Sequence, residues 1–154
     1  MVSRGGNNKF NYTCAHWALE LYYTALRITS HCNIPTVKLL IVEFKIDPDV
    51  ANEGEKLISH ASYHGHLDLM KYLVKELKCN VKSACDSYGN TPLHCAAYSN
   101  QVYVVHILAC HFKQCIFVTN NRNETPLEVA IKAGSFPAAL MLTAVIFNSF
   151  LSRN

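Results

Sequence analysis

The heptapeptide Thr91-Pro92-Leu93-His94-Cys95-Ala96-Ala97 returns 34 residues later as Thr125-Pro126-Leu127-Glu128-Val129-Ala130-Ile131. A chain that repeats itself at a period near 34 residues stacks like units side by side, because one unit cannot bury its own apolar face. Moving back 35 residues from Thr91 gives Lys56-Leu57-Ile58-Ser59-His60-Ala61-Ser62, which loses the Thr and keeps the apolar and alanine positions. The block Gly65 to Val74 has its partner 35 residues on, at Asn100 to Ala109, and Val37 to Val42 aligns with Met70 to Lys75 at a spacing of 33.

Each unit reads as two helices. Leu69, Met70, Leu73, Val74 and Leu77 follow the i, i+3, i+4, i+7 spacing of one buried helical face, and so do Val37, Leu40, Ile41 and Phe44. The preceding helix of each unit is short and centred on alanine, which allows close packing against the next unit. Thr91-Pro92 and Thr125-Pro126 have the form of helix starts, a Thr cap followed by Pro at the first helical position. Pro35 and Pro137 fall on the register position of Asp68 and Tyr103, the first turn of the second helix, where a missing N–H is harmless. Asn100 stands where the other copies have Gly65 and Gly134, so a left-handed residue is expected between the two helices. Lys45, Lys78 and Lys113 recur at the expected end of the second helix, where a cation complements the helix dipole. Polar turns, 86–90 and 120–124, separate the units.

With Asp86, Gly89, Thr91-Pro92-Leu93-His94 and Ala96-Ala97, the near copy from Asn123 to Ala130, and the block Gly65-His66-Leu67-Asp68, the sequence resembles the ankyrin-repeat family. The resemblance covers roughly residues 24–146 and implies an all-α solenoid of stacked helix-turn-helix units joined by polar β-turn or hairpin loops. The expected organisation is an N-terminal tail (1–10) and a single repeat domain (11–146). The domain comprises a capping helix or weak repeat start (11–30), a weak repeat (31–50) and repeats at 51–85, 86–119 and 120–146. A C-terminal cap or tail (147–154) follows. Within 11–30, Ala15, Ala18, Leu19, Tyr22 and Leu26 share one helical face. The helix from Pro137 to Phe147 is apolar nearly all round, whereas an end repeat needs a polar outer face. The terminal segment from Phe147 is expected to fold over it, or a partner, a dimer mate or further chain covers it.

In the family, turn tips and the exposed side of the first helices form a concave protein-binding surface. Carried over by position, that surface comprises Asn52, Glu53, Glu55, Tyr63 and His64, then Ser87, Tyr88, Asn90, Tyr98 and Ser99, then Asn121, Arg122, Glu124 and Lys132. Tyr63, Tyr88, Tyr98 and Arg122 are expected at its energetic centre, because Tyr and Arg dominate binding hot spots at about 1–3 kcal/mol each. His94, in the Thr-Pro-Leu-His slot, is expected to tie the turn to the helix by a hydrogen bond.

Other chemistry finds little footing. A net charge of +3, with 16% charged residues, lacks the basic stripe of a nucleic-acid binder, so no nucleic acid is expected as partner. The seven cysteines are odd in number and contain no CxxC. They read as reduced thiols of a cytoplasmic or nuclear, not secreted, protein, and the first ten residues lack the apolar run of a signal peptide. Residues 136–151 are too few and too interrupted for a membrane span, which needs about 20 apolar residues. His106, Cys110, His111 and Cys115, and separately His60, His64 and His66, are the candidate metal ligands, but neither set has the spacing of a zinc site. There is no nucleophile elbow and no phosphate-cradling glycine loop, so neither a cofactor nor a catalytic residue is assigned. The expected function is a non-catalytic adaptor, scaffold or inhibitor that binds another protein. One alternative is a piece of a larger ankyrin-repeat protein whose activity lies in other domains. Self-association through the apolar C-terminal helix is a further expectation, and a Cys/His metalloprotein or enzyme is the remaining reading.

Overall fold

The computed structural model describes residues 34–43, 56–83 and 86–152. The expected tail at 1–10, the helix at 11–30, Lys45 and the candidate binding residues Asn52, Glu53 and Glu55 lie outside them. Among the described residues seven α-helices follow in order: α1 Ile34–Glu43, α2 Leu57–Tyr63, α3 Leu67–Lys75, α4 Pro92–Tyr98, α5 Val102–His111, α6 Pro126–Lys132 and α7 Phe136–Leu151. A 3-10 turn, Lys113–Phe117, follows α5, and the described residues contain no strand. The architecture is the all-α solenoid. Short inner helices α2, α4 and α6 lie side by side, and outer helices α5 and α7 pack on one another and on the inner row.

The inner helices touch through alanine. Ala61, Ala96, Ala97 and Ala130 are fully buried, and Ser62 stands in the register of Ala97 without penalty because its hydroxyl donates to the Ile58 carbonyl at 2.7 Å. Small side chains let helix axes approach, and the outer helices fill the remaining core with Leu69, Met70 and Leu73, then Val104, Val105, Leu108 and Ala109, then Ala138, Ala139, Leu142 and Val145. Val37 of α1 is also buried, and the Lys38 ammonium lies 4.9 Å from the centre of the Tyr72 ring on α3.

The three inner helices end alike. Gly65, Asn100 and Gly134 have φ of 72°, 59° and 72°. The following N–H groups, of His66, Gln101 and Ser135, bond to the carbonyls of Ala61, Ala96 and Ala130 at 2.8–2.9 Å. This is the six-to-one closure that a left-handed residue at a helix C-terminus permits. Cys79, Cys95 and Cys115 are buried as small hydrophobes of the core, and burial pushes the Cys115 thiol up.

Two expectations are corrected. Lys78 and Lys113 do not sit in the last turn of their helices. α3 ends at Lys75 and Lys78 lies three residues beyond it at φ 58°, while Lys113 opens the 3-10 turn after α5 ends at His111. Residues from Phe147 do not fold back over α7 but continue it to Leu151. Ser149 and Ser152 resemble breakers, yet their hydroxyls donate to the Ile146 and Asn148 carbonyls and leave the helix intact.

Candidate protein-binding surface

Two turn tips carry the site, and both are built by an Asx side chain. The Asp86 carboxylate accepts from the N–H groups of Tyr88 at 3.0 Å and Asn90 at 2.8 Å. Thirty-four residues on, Asn120 Oδ1 accepts from Arg122 at 2.9 Å and Glu124 at 3.0 Å. Each tip is thereby closed by a short polar side chain that mimics a backbone turn, and Tyr88 and Arg122 are presented at its crest. The tips are linked edge to edge. Asn90 donates to Asp86 at 2.8 Å, Asn120 donates to Asn90 at 2.9 Å, and the Asn121 N–H donates to the Tyr88 carbonyl at 3.0 Å. Gly89, at φ 75°, leaves room for this approach, since a Cβ there would strike the Asn121 side chain. Lys132 reaches from α6 to Glu124 at 2.6 Å. That contact and the bond from Asn120 hold the Glu124 carboxyl below its usual range.

Beneath the tips, His94 is completely buried. Its Nε2 lies 2.9 Å from the Glu124 carbonyl, which can only accept, so Nε2 carries the proton. Nδ1 is then an acceptor, and it receives the Thr91 N–H at 3.1 Å and the Thr91 hydroxyl at 2.8 Å. The imidazole therefore does more than tie turn to helix, because it also spans to the next repeat. In the last repeat Glu128 takes the same slot, accepting from the Thr125 N–H at 2.7 Å, a bond that holds its carboxyl below the usual range.

Burial holds the His94 pKa below the ordinary histidine value of 6.5, against the weaker opposing pull of the Glu124 carbonyl and of Asp86 and Glu124. A lowered folded-state pKa means that the unfolded chain takes up the proton first as pH falls. The stabilisation is fully present above pH 6.5 and is lost as pH falls from there toward the folded-state pKa. The protonated ring would also turn Nδ1 into a donor facing the Thr91 N–H. The stability advantage of the wild type over His94→Gln, measured by urea denaturation, is expected to shrink from pH 7.5 to pH 5. An advantage constant over that range would show that His94 is not the titrating group.

Inner helices and tips together enclose a concave groove of about 760 Å³. Of the positions carried over from the resemblance, Tyr63, His64, Tyr88, Asn90, Tyr98, Arg122, Glu124 and Lys132 line it. Ser87, Ser99 and Asn121 lie outside it, and Ser99 spends its hydroxyl on the Cys95 carbonyl. Tyr63, Tyr88 and Tyr98 are exposed, as expected. The Tyr63 and Tyr98 rings stack at 6.1 Å with 26° between planes, Tyr63 meets the edge of His64 at 5.0 Å, and the Arg122 guanidinium lies 5.8 Å from the centre of the Tyr88 ring. Asn90, by contrast, is committed to the bond that joins the tips, and Glu124 to Lys132 and Asn120 within its own repeat. Sequence reasoning missed His60, whose ring stacks 6.0 Å from His64 at the groove wall, and Asn120. Asn120 could have been found, since it lies one period after Asp86. The candidate metal ligands do not converge: among the described residues no three His, Cys, Asp or Glu side chains could hold an ion together.

Comparison with known proteins agrees with this geometry. A family model described as ankyrin repeats, in three copies, matches residues 21–119 and 85–148. The chain is also similar to the transient receptor potential cation channel subfamily A member 1 of Homo sapiens, with 37% identity over 51 residues, 33% of this chain and 5% of the channel protein. The match thus spans about a twentieth of that relative's length.

Proposed function

The chain belongs to the ankyrin-repeat family, whose repeats generally mediate contacts between proteins, and on that premise we propose that it is a non-catalytic adaptor, scaffold or inhibitor that grips a partner protein in the groove. The observation that carries this reading is the row of exposed aromatic rings, Tyr63 on Tyr98 and Arg122 on Tyr88, held over a rigid hydrogen-bonded edge. These side chains are already ordered by one another, so a partner that covers them gains apolar contact without bearing the entropy of fixing them. The groove mixes Asp86 and Glu124 with Arg122 and Lys132, a balance suited to a polypeptide and unlike the basic track of a nucleic-acid site. Seven cysteines, odd in number and without a CxxC, favour a reducing compartment, cytoplasmic or nuclear. Among the described residues no helix is long and apolar enough to cross a membrane.

Capture from a matched cell lysate, comparing the wild type with Tyr88→Ala/Tyr98→Ala, followed by titration of the captured protein, tests the reading. Loss of two ring anchors is expected to weaken binding about 100-fold while leaving the melting temperature within about 3 °C, since both rings are exposed. Equal affinity of the two baits would move the site off the groove.

A second reading, that the repeats belong to a larger ankyrin array, has its own observation. Ile131 is exposed, whereas the matching side chains of the earlier inner helices, Ala97 and Ser62, each in a unit with another stacked after it, are buried. The stacking face of the last repeat is therefore open to another unit of the same kind.

A further inference from the structure

The outer surface of α7 carries apolar bulk that an additional repeat would not cover. Phe136, Leu140 and Phe147 are 68%, 73% and 62% exposed, and Leu151 continues the line. At 3.6 residues per turn these four fall within roughly 60° of one helical face, opposite the buried Ala138, Leu142 and Val145. Counting back 34 residues places Leu140 on His106 and Phe147 on Lys113. A further 35 places them on Lys71 and Lys78. All four of those residues are exposed or half-buried, His106 although α7 follows it and Lys71 although α5 follows it. A repeat stacked after α7 would leave Leu140 and Phe147 as open as their counterparts are. Where internal units present Lys or His to water, this helix presents Leu and Phe.

We propose that this stripe is the interface of a homodimer in which α7 packs antiparallel on α7 of a second copy. Three features select a second copy as the occupant. The stripe reads alike from either end. Phe136 and Leu151 are equidistant from its midpoint between Thr143 and Ala144, as are Leu140 and Phe147. A two-fold axis at that midpoint sets Phe136 on Leu151, Leu140 on Phe147, and small exposed residues at the crossing, where helices must approach closely. Next, α7 contains no Asp, Glu, Lys or Arg in its 16 residues, so self-pairing brings no like charges together. Neither does the helix offer a charged partner anything, nor an anionic membrane surface the Lys/Arg-rich polar face that interfacial helices use. Last, the area suffices for a weak dimer. Phe136, Phe147 and Phe150 with Leu140 and Leu151, each more than half exposed, offer roughly 500–600 Å² per chain, so about 1,100 Å² in total, the range of specific but transient interfaces. The stripe shares no residue with the groove, and the dimer does not depend on the groove reading.

Sedimentation equilibrium of the wild type is expected to show one chain passing to two with a dissociation constant on the order of micromolar. Leu140→Lys/Phe147→Lys restores the side-chain character of the other repeats. It is expected to weaken the dimer about 100-fold or more with an unchanged circular dichroism spectrum and melting curve. Leu140→Lys/Phe147→Glu is the register test. In the antiparallel pair the ammonium introduced at position 140 would face the carboxylate introduced at position 147 of the other copy. At low salt this variant is therefore expected to dimerise again, whereas a parallel pair would juxtapose like charges. A wild type that stays monomeric at several hundred micromolar, a Lys/Lys variant that dimerises as well as the wild type, or a Lys/Glu variant as monomeric as Lys/Lys would each overturn the proposal. So would a wild type that floats with phosphatidylcholine vesicles as a monomer, which would assign the stripe to a lipid surface.

Discussion

His94→Ala is expected to lower the free energy of unfolding by about 3–4 kcal/mol and the melting temperature by about 10 °C, measured by urea and thermal denaturation followed by circular dichroism. The side chain is fully buried and makes bonds on both ring nitrogens. Its removal strands the buried Thr91 N–H, opens a cavity under the tip and cuts the direct tie between α4 and the Glu124 turn. The Glu124 carbonyl keeps a second partner, the Asn120 N–H at 3.0 Å, so its share of the loss is the smaller one. His94→Gln separates the two roles, because an amide oxygen can accept from Thr91 as Glu128 does from Thr125. Gln is expected to recover about half of the loss. If Ala and Gln are equally destabilised, the cap contributes little and the bridge to the next repeat accounts for the effect.

Leu108→Ala is the second large effect, about 3 kcal/mol, and its form is more telling than its size. Leu108 is buried in the middle of α5, an outer helix that packs on both α3 and α7. In a linear array each unit is stabilised by its neighbours, so a cavity at a shared contact weakens coupling along with local stability. Hydrogen exchange read residue by residue is expected to show α7 losing protection before α3, together with a smaller denaturant slope. Equal loss of protection in α3 and α7 with an unchanged slope would mean that the array unfolds as one block.

Much of the fold was legible because the repeat gives every position two or three independent readings. The Thr-Pro starts, the alanine row and the left-handed Asn100 each follow from a residue whose conformational preference matches its place in the unit. The sequence misleads where a single residue type has to settle a helix end. Lys78 and Lys113 recur in register, but α3 ends three residues before Lys78 and α5 two residues before Lys113, so the cations fall outside the last turn. At the C-terminus, Ser149 and Ser152 carry hydroxyls that bond back to carbonyls three and four residues earlier, which is compatible with a helix and lets α7 run on past Phe147. At the candidate site the exposure of the tyrosines was legible, since tip and inner-helix positions face outward in each unit. The commitment of Asn90 and Glu124 to their neighbours was not. Asn90 is held by Asn120, a side chain 30 residues away that only the stacked structure brings within 3 Å, and Glu124 by Lys132 on the helix that follows its turn.

The tips have a consequence for how such a surface changes over generations. Along one strip, residues that hold the edge together (Asp86, Asn90, Asn120, Glu124) alternate with residues whose side chains stand free of that lattice (Tyr63, Tyr88, Tyr98, Arg122). Substitutions in the first set disturb the frame on which every neighbour depends, while those in the second alter only what is displayed. The surface is thus divided into a fixed grammar and a variable vocabulary. New recognition can be acquired one ring or one charge at a time without the scaffold having to be rebuilt.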